Sequence, residues 1–296
     1  MRVLCHGWRT SRLAEARPRA VGHRGPAGRG RRGARAYGKA YAPGTADLPA
    51  LSRRYGAAAA ALAGHPGLRA PRALAHSAAH DLLVLEAMPG ERWDRLDAAA
   101  RRVALARLGQ GIAVLHGVDP GGLGAGPFGR LRPDRVERSC ALVGAALPHL
   151  AERTARIARG LSRRPAERDR PVLLHGDCHP KNALAGPEGL ALIDLDQAGV
   201  GAPAADVGSL LARLRHGVVL GETDAGEAAA LAGAFLEGYA AVRPLPDAGE
   251  LHWSTAAALM AERAVRAVNR VHAPALAAMD ALLDLAEDAL AEGAWR

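Results

Sequence analysis

The sequence has few cysteines, few aromatic residues and no long apolar run. Its three cysteines, Cys5, Cys140 and Cys178, are an odd and sparse set among 296 residues. This argues against a disulfide framework and favours a reducing, cytoplasmic compartment. No run of about 18 apolar residues occurs, so we expect no membrane contact. Aromatic residues make up 3% of the chain and hydrophobic residues 49%, so the core must consist mainly of Leu, Val and Ala.

The positive charge of the chain is concentrated near its N-terminus. The net charge is +9, and residues 1–36 alone contain ten arginines and a single acid, Glu15, so the remainder is balanced. A basic, glycine-rich arm can bind nucleic acid or an acidic partner, although such a run is more often a solvated tail. We expect residues 1–36 to be an arm with the composition of a disordered segment, and any nucleic-acid binding to be restricted to it.

Two short apolar runs each end in a loop that carries acidic residues. The loops have the sequences HGDCHPKN (175–182) and DLD (194–196). Carboxylate and amide oxygens are the hard ligands that Mg²⁺ prefers. Asp177 can orient an acceptor hydroxyl, while Asn182 and Asp194 can hold Mg²⁺ against phosphate groups. Mg²⁺-assisted phosphoryl transfer requires this set of side chains.

The two loops resemble those of the aminoglycoside phosphotransferase and choline kinase-like family, whose members are small-molecule relatives of the protein kinases. The resemblance implies that Asp177 is the catalytic base and that Asn182 and Asp194 are metal ligands. It also implies that His175 braces the first loop.

Three further residues have supporting roles by the same resemblance. Asp196 assists the metal or lies just behind it, and Lys181 lies within the catalytic loop. The segment GVGAPAAD (199–206) is similar to the family's segment after the metal-binding Asp. Asp206 would then tie the catalytic loop down by hydrogen bonds.

Two other interpretations of the first loop are weaker. His175, Asp177, Cys178 and His179 could form a zinc cluster, but the chain has no Cys-x-x-Cys pair and no second pair of histidines. A plain loop would explain the Gly, Pro and Asn residues. It would not explain two successive apolar runs that both end in Asp.

Lysine is almost absent, which draws attention to the two that remain. Of 39 basic side chains only Lys39 and Lys181 are lysines. Arginine is a wide planar fork, whereas lysine is a compact charge on a thin stem, so a retained lysine indicates a site where arginine does not fit. A narrow nucleotide cleft is such a site. Chance is a weaker explanation for Lys39 than for Lys181.

The resemblance also places nucleotide-binding residues in the first third of the chain. Lys39 lies in a predicted strand, residues 36–41, where it would contact phosphates and pair with a helix Glu. The following predicted helix, residues 48–63, contains no Glu, so we expect the ion pair to be absent or made by an acid elsewhere. The predicted strand 82–86 and the turn after it resemble the hinge, where backbone groups of Glu86 and Met88 would meet the base.

Predicted helices fill the C-terminal part, near residues 94–117, 135–161, 206–215, 222–241, 248–271 and 274–292. Polar residues of the later helices are candidates for lining an acceptor pocket, although each is more typical of a solvated helix face: His252, Trp253, Glu262, Arg263 and Arg266.

We therefore predict an α+β, bilobed, protein kinase-like fold. A small sheet-containing N-lobe spans residues 37–91, and a mainly helical C-lobe spans residues 92–296. Whether the N-lobe is complete is left open, because the glycines before Lys39 suit either a phosphate-covering turn or a low-complexity arm.

The predicted activity is ATP- or GTP-dependent, Mg²⁺-assisted phosphorylation of a hydroxyl on a small molecule of the aminoglycoside, sugar or amino-alcohol class. Two other classes stay open. One is a degenerate kinase-like protein that binds a nucleotide or a partner without turnover, which the missing helix Glu favours. The other is a nucleic-acid-associated protein that works through the arginine arm.

Overall fold

The computed structural model describes residues 2–5, 14–15, 36–123, 131–165 and 169–291. Residues 6–13 and 16–35, which form most of the predicted basic arm and the predicted glycine turn, lie outside the described residues. Within the predicted arm the structure describes two short strands. The disorder expected for the rest of the arm and its nucleic-acid binding remain predictions.

The N-terminal part contains one main sheet and one long helix. Its elements are β1 (Arg2–Cys5), β2 (Ala14–Glu15), β3 (Ala36–Ala40), α1 (Leu48–Ala63), β4 (Leu68–Arg69), β5 (Ala73–Ser77) and β6 (Leu82–Glu86). The strand order is β2-β1-β3-β6-β5, with β1 parallel to β3 and the other pairs antiparallel. Lys39 is paired with Leu83, so the lysine lies on a central strand of the sheet.

Helix α1 begins and ends where the sequence predicts. The side chain of Asp47 caps it by accepting a hydrogen bond from the backbone N–H of Ala50 at 2.9 Å, which satisfies one of the donors left free at a helix start. Leu51, Tyr55 and Leu62 are buried; their four- and seven-residue spacing places them on one face. This face brings Tyr55 toward the site described below.

The C-terminal part is mainly helical. Its strands are β7 (Glu91–Arg92), β8 (Val172–Leu174), β9 (Ala183–Gly186), β10 (Gly189–Leu192) and β11 (Gly199–Gly201). Its helices are α2 (Ala98–Leu115), α3 (Pro133–Ala146), α4 (Ala151–Leu161), α5 (Ala204–Val219), α6 (Ala225–Ala240), α7 (Ala248–Ala258), α8 (Val265–Asn269), α9 (Ala273–Ala277) and α10 (Met279–Leu290).

Two small sheets link the helices to the site. Strands β4, β10, β9 and β7 form one sheet in that order, and β11 pairs with β8 to form the other. Because β4 precedes the predicted lobe boundary and β10 follows it, this sheet joins chain segments from both sides of the boundary. The α+β prediction is confirmed, whereas the boundary at residue 91 remains a prediction.

Three of the predicted helices are interrupted. The helix predicted over 135–161 is two helices, α3 and α4, because Pro148 lacks the N–H that would continue α3. The helix predicted over 248–271 contains a π-helical turn, Leu259–Ala264, between α7 and α8. The last predicted helix divides into α9 and α10. No helix among the described residues is both long and apolar enough to cross a bilayer.

The core is built from aliphatic residues and a few buried aromatic rings. One cluster of buried side chains joins the main sheet, α1, α2 and α6, and another joins α3, α4, α7 and α10. The largest fully buried side chains are Tyr55, Tyr239 and Phe235. Two of these three also carry a hydroxyl that hydrogen-bonds to the site, so the scarce aromatic residues serve both packing and polar positioning.

Candidate active site

The first acidic loop follows β8 and turns sharply at Gly176. This residue has φ +76°, and a Cβ atom there would lie 1.9 Å from the backbone oxygen of Gln197. Only glycine fits so close a contact in a left-handed conformation. The turn delivers Asp177, which is partly exposed, to the surface of the site.

Asp206, at the start of α5, fixes this turn. Its carboxylate accepts hydrogen bonds from the backbone N–H groups of His175 at 2.6 Å and Gly176 at 2.9 Å, and it lies 3.2 Å from Nε2 of His116. Burial would raise the pKa of Asp206, but the hydrogen bond and charge of His116, with further help from His175, outweigh burial and lower it. The hydroxyl of Tyr239 lies 2.9 Å from Nδ1 of His116 and completes the network.

Hydrogen bonds also join the first loop to the second. Nε2 of His175 lies 3.1 Å from the carbonyl oxygen of Ile193, and the N–H of Ile193 donates to the carbonyl of Asn182 at 2.9 Å. The amide of Asn182 donates to the carbonyl of Asp177 at 3.0 Å. These bonds hold Asp177, Asn182 and the residue after Ile193, Asp194, in one region.

The backbone conformation changes directly after Ile193. Asp194 has φ +63°, a left-handed conformation that is uncommon for residues other than glycine and that Asp tolerates better than most. Strained backbone of this kind is typical of functional sites. Here it follows β10 and turns the chain so that both Asp194 and Asp196 reach the same lysine.

Lys39 lies between the two carboxylates of the second loop. Its Nζ donates to Oδ1 of Asp194 at 2.6 Å and to Oδ1 of Asp196 at 2.9 Å. Burial alone would lower the pKa of Lys39, but the two carboxylates outweigh burial and raise it. The hydroxyl of Tyr55 lies 3.4 Å from the same Nζ. Helix α1 contains no Glu that could pair with Lys39. The acids of the second loop and the neutral hydroxyl of Tyr55 contact the lysine instead.

The residues of this region suit a magnesium ion. Asp194 and Asp196 present two carboxylates to one cation, the ammonium of Lys39, at 2.6 and 2.9 Å. Asn182, which is buried, adds an amide group from the adjoining loop. Carboxylate and amide oxygens match the preference of Mg²⁺, and the lysine shows that the position attracts positive charge. No group of three or more His, Cys, Asp or Glu side chains suited to a metal occurs in the described part of the chain.

The structure does not bring every predicted residue into this region. Lys181 is exposed, and within the described residues it forms no hydrogen bond or ion pair. Glu86 lies at the end of β6, where its N–H donates to the carbonyl of Arg72 at 2.9 Å and its side chain pairs with the same arginine. The backbone N–H of Glu86 therefore donates within the sheet region and not to a nucleotide base. Met88 is half-buried after β6, and its contact with a base remains a prediction.

Sequence reasoning missed three residues that position the site. Tyr55 had no motif to mark it, and its only signal was that it is one of four tyrosines in the chain. Tyr239 was equally unmarked. His116 directly follows the last residue of α2, and its bond to Asp206 depends on contacts between segments far apart in sequence.

A comparison with known families identifies the arrangement. A family model described as the phosphotransferase enzyme family matches residues 27–245. The chain belongs to this family. Members of the phosphotransferase family are kinases of small molecules, and the predicted resemblance is thereby confirmed. Among curated proteins no match was found.

Several solved structures share the fold of this chain. A glucosamine kinase in complex with glucosamine, ADP and inorganic phosphate is 21% identical, with a TM-score of 0.56, and the match covers 81% of this chain and 74% of that one. A putative aminoglycoside phosphotransferase from Ralstonia eutropha is 18% identical, with a TM-score of 0.56 and coverage of 82% and 83%. An amicoumacin kinase in complex with AMP-PNP and Ca²⁺ is 15% identical, with a TM-score of 0.52 and coverage of 82% and 79%. These similarities confirm the kinase-like fold predicted for the chain.

Proposed function

We propose that this phosphotransferase transfers the terminal phosphoryl group of ATP or GTP to a hydroxyl group of a small molecule, with Mg²⁺ as the metal. The observation that carries the proposal is the ion pair between Lys39 and Asp194 at 2.6 Å. It joins a central strand of the main sheet to the loop that holds the acidic residues. A buried lysine beside paired carboxylates is the charge arrangement that phosphate and metal binding require.

Each residue has a separate task in this proposal. Asp177 orients the acceptor hydroxyl and accepts its proton. Asn182 and Asp194 would hold Mg²⁺, with Asp196 behind them. When bound, the metal would offset the negative charge of the nucleotide phosphates. Lys39 steadies those phosphates, and positioning and charge stabilisation supply most of the catalysis in such transfers.

One neighbour of Asp177, the imidazole of His179, is compatible with a role of Asp177 as proton acceptor. Nε2 of His179 lies 3.8 Å from Oδ2 of Asp177, and burial, followed by the charge of Arg213, lowers the pKa of His179 to about 3. The imidazole is therefore neutral near neutral pH and does not neutralise the carboxylate. An uncharged neighbour on this side is compatible with the role proposed for Asp177.

Two relatives support the choice of cofactors. The glucosamine kinase structure contains ADP and inorganic phosphate, and the amicoumacin kinase structure contains AMP-PNP with Ca²⁺. Both proteins therefore bind adenine nucleotides, and the second does so with a divalent cation. We extend this chemistry to the present chain because its lysine, carboxylate and amide groups suit the binding of nucleotide phosphates and a divalent cation.

The decisive experiment separates nucleotide binding from turnover. Asp177→Asn should abolish phosphoryl transfer from Mg·ATP or Mg·GTP to an acceptor panel of sugars, sugar acids, sugar phosphates, amino alcohols and aminoglycosides, while calorimetry still detects nucleotide binding. Asp194→Ala should lose the Mg²⁺-dependent part of that binding. Asp134→Asn, a partly exposed position on α3, is the matched control. Full turnover by Asp177→Asn would rule out its role as the base.

The same experiment tests the degenerate alternative. Its supporting observation is that α1 supplies a neutral tyrosine hydroxyl to Lys39, while both carboxylates of the second loop are already paired with the lysine. Under that alternative the wild-type protein binds nucleotide but shows no transfer to any acceptor of the panel.

A further inference from the structure

Basic side chains from three helical segments interact electrostatically, and one of them, Arg213, also interacts with Asp177. Arg213 is on α5, Arg263 is in the π-helical turn, and Arg266 is on α8. Arg263, Asp177 and Arg266 all influence the pKa of Arg213. An acceptor whose hydroxyl reaches Asp177 therefore comes within the electrostatic influence of the Arg213 guanidinium.

The π-helical turn places two adjacent charged residues in the interior. Glu262 is 5% exposed and Arg263 is 6% exposed, although the sequence alone suggested solvated positions for both. Ser209 of α5 donates to Oε2 of Glu262 at 2.7 Å, and Nη2 of Arg263 donates to the same oxygen at 3.0 Å. Turns of this type are frequent at functional sites. The two hydrogen bonds fix Arg263 against α5.

Several donors in this region lack an acceptor. Nε of Arg263 is buried and forms no hydrogen bond within the described residues. Arg213 lies one helical turn after Ser209, is half-buried, and forms no hydrogen bond or ion pair with any described residue. Buried polar groups are normally satisfied, so unpaired guanidinium donors that interact electrostatically with one another and with Asp177 indicate a binding site for an acceptor of hydrogen bonds.

The charge of the region strengthens this argument. Burial and the charge of Arg263 lower the pKa of Arg213 to about 10, so the guanidinium remains positive at neutral pH. Two carboxylates besides Asp177 act nearby. Glu262 is already bonded to Ser209 and Arg263, and Glu222 is exposed, where solvent weakens its effect. A cationic acceptor would meet the guanidinium groups unfavourably.

Resting on the phosphotransferase function proposed above, we propose that the acceptor is a small hydroxyl compound that carries a carboxylate or phosphate group, bound by Arg213 and Arg263 beside Asp177. The planar fork of a guanidinium matches both of these anionic groups and can bind either through two parallel hydrogen bonds. The anionic group anchors the compound, and a hydroxyl elsewhere on it reaches Asp177.

The test uses four hexoses that differ mainly in charge: glucosamine, glucose, glucuronate and glucose 6-phosphate. The full-length protein is first saturated with Mg²⁺ and AMP-PNP, so that anions cannot enter the nucleotide phosphate site, and the melting temperature is then measured with each hexose. Glucuronate or glucose 6-phosphate should raise it more than glucose and glucosamine do. Whichever of these two compounds raises the melting temperature more shows whether a carboxylate or a phosphate is the anchoring group.

Variants of Arg213 connect this effect to the site. Arg213→Gln should weaken binding of the anionic hexose at least about tenfold, as expected for the loss of a hydrogen bond to a charged group, while Arg213→Lys should retain part of it. Arg215→Gln is the matched control, because Arg215 is on the same helix but interacts with Asp288. If Arg213→Gln does not fold, the comparison of the four hexoses with the wild-type protein still tests whether the acceptor is anionic.

The outcomes separate the two proposals. If AMP-PNP does not bind, the proposed function fails, and the acceptor inference fails with it. If AMP-PNP binds but no hexose raises the melting temperature, or glucose or glucosamine raises it as much as the anionic compounds, only the acceptor inference is overturned. Equal binding of the anionic hexose by Arg213→Gln and wild type would also overturn it.

Discussion

The hydroxyl of Tyr55 donates a hydrogen bond to Oδ1 of Asp196 at 2.9 Å. The same hydroxyl accepts one from the backbone N–H of Leu195 at 3.0 Å. Burial and the charge of Asp196 raise the pKa of Tyr55 well above its usual value, so the group is neutral. A neutral side chain from α1 thus positions the second acidic loop, while that loop supplies the negative charge for Lys39.

Tyr55→Phe should therefore impair catalysis more than folding. The substitution keeps the buried ring but removes one donor to Asp196 and one acceptor from Leu195, each worth about 1–3 kcal/mol when its partner stays buried. We expect a lower kcat in a transfer assay and a modest decrease in melting temperature. Tyr37→Phe, on β3, makes the same chemical change away from this contact and serves as the control. Equal kcat values for the two variants would contradict the positioning role.

The parts of the site that could be predicted from sequence are those whose signal is local. Asp177, Asn182 and Asp194 lie in two short loops after apolar runs, and their residue types, spacing and family resemblance indicated the chemistry that is proposed for them. The strand that carries Lys39 was likewise marked by a local pattern. Neighbouring residues in the chain determine such features, so the sequence displays them directly.

The parts that could not be predicted depend on contacts between distant segments. Tyr55 reaches Asp196 across 141 residues, and Tyr239 reaches His116 across 123. Neither tyrosine differs locally from a core residue. The burial of Arg263 was missed for a related reason, since the π-helical turn that turns it inward has no sequence pattern that separates it from an ordinary helix.

Lys39→Met should leave Asp194 and Asp196 without their shared cation. Removing one partner of a buried ion pair is strongly destabilising, and because Asp194 is partly exposed we expect a loss of roughly 3 kcal/mol in the free energy of unfolding. Mg²⁺ should restore part of that loss, since it supplies the missing positive charge. Urea unfolding with and without Mg²⁺ measures both effects.

The other lysine provides the control for that experiment. Lys181→Met removes an exposed lysine and should leave both the stability and its response to Mg²⁺ close to those of the wild type. The interpretation would be wrong if Mg²⁺ stabilised Lys39→Met no more than it stabilises Lys181→Met.

Gly176→Ala should displace the loop that carries Asp177. The added Cβ would lie 1.9 Å from the oxygen of Gln197, and the left-handed conformation, φ +76°, is unfavourable for alanine. Together these effects should cost about 2 kcal/mol or more and should abolish turnover. Gly233→Ala, on α6, meets no atom within 4 Å and is the control; it should stabilise the helix slightly. Unchanged activity in Gly176→Ala would mean that the turn does not set the position of Asp177.

His216, on α5, should make stability depend on pH. Burial, with the charges of Arg263 and Arg213, lowers its pKa from 6.5 to about 4. The unfolded chain therefore binds a proton more readily than the folded protein in this interval, and the free energy of unfolding falls as pH decreases from about 6.5 toward 4. Between about pH 7 and about pH 4.5 the melting temperature of His216→Gln should fall less than that of the wild type.

The control for the pH experiment is His76→Gln, an exposed position on β5. This variant should follow the wild-type melting temperature across the whole range, because it leaves the buried histidines unchanged. The pKa of His179 is also lowered by burial, so protonation of His179 still destabilises the folded protein as the pH falls. His216→Gln should therefore reduce the slope of the melting temperature against pH without removing it. If His216→Gln and His76→Gln gave the same slope, the cationic surroundings inferred for His216 would be wrong, and with them part of the case for a positively charged acceptor site beside Asp177.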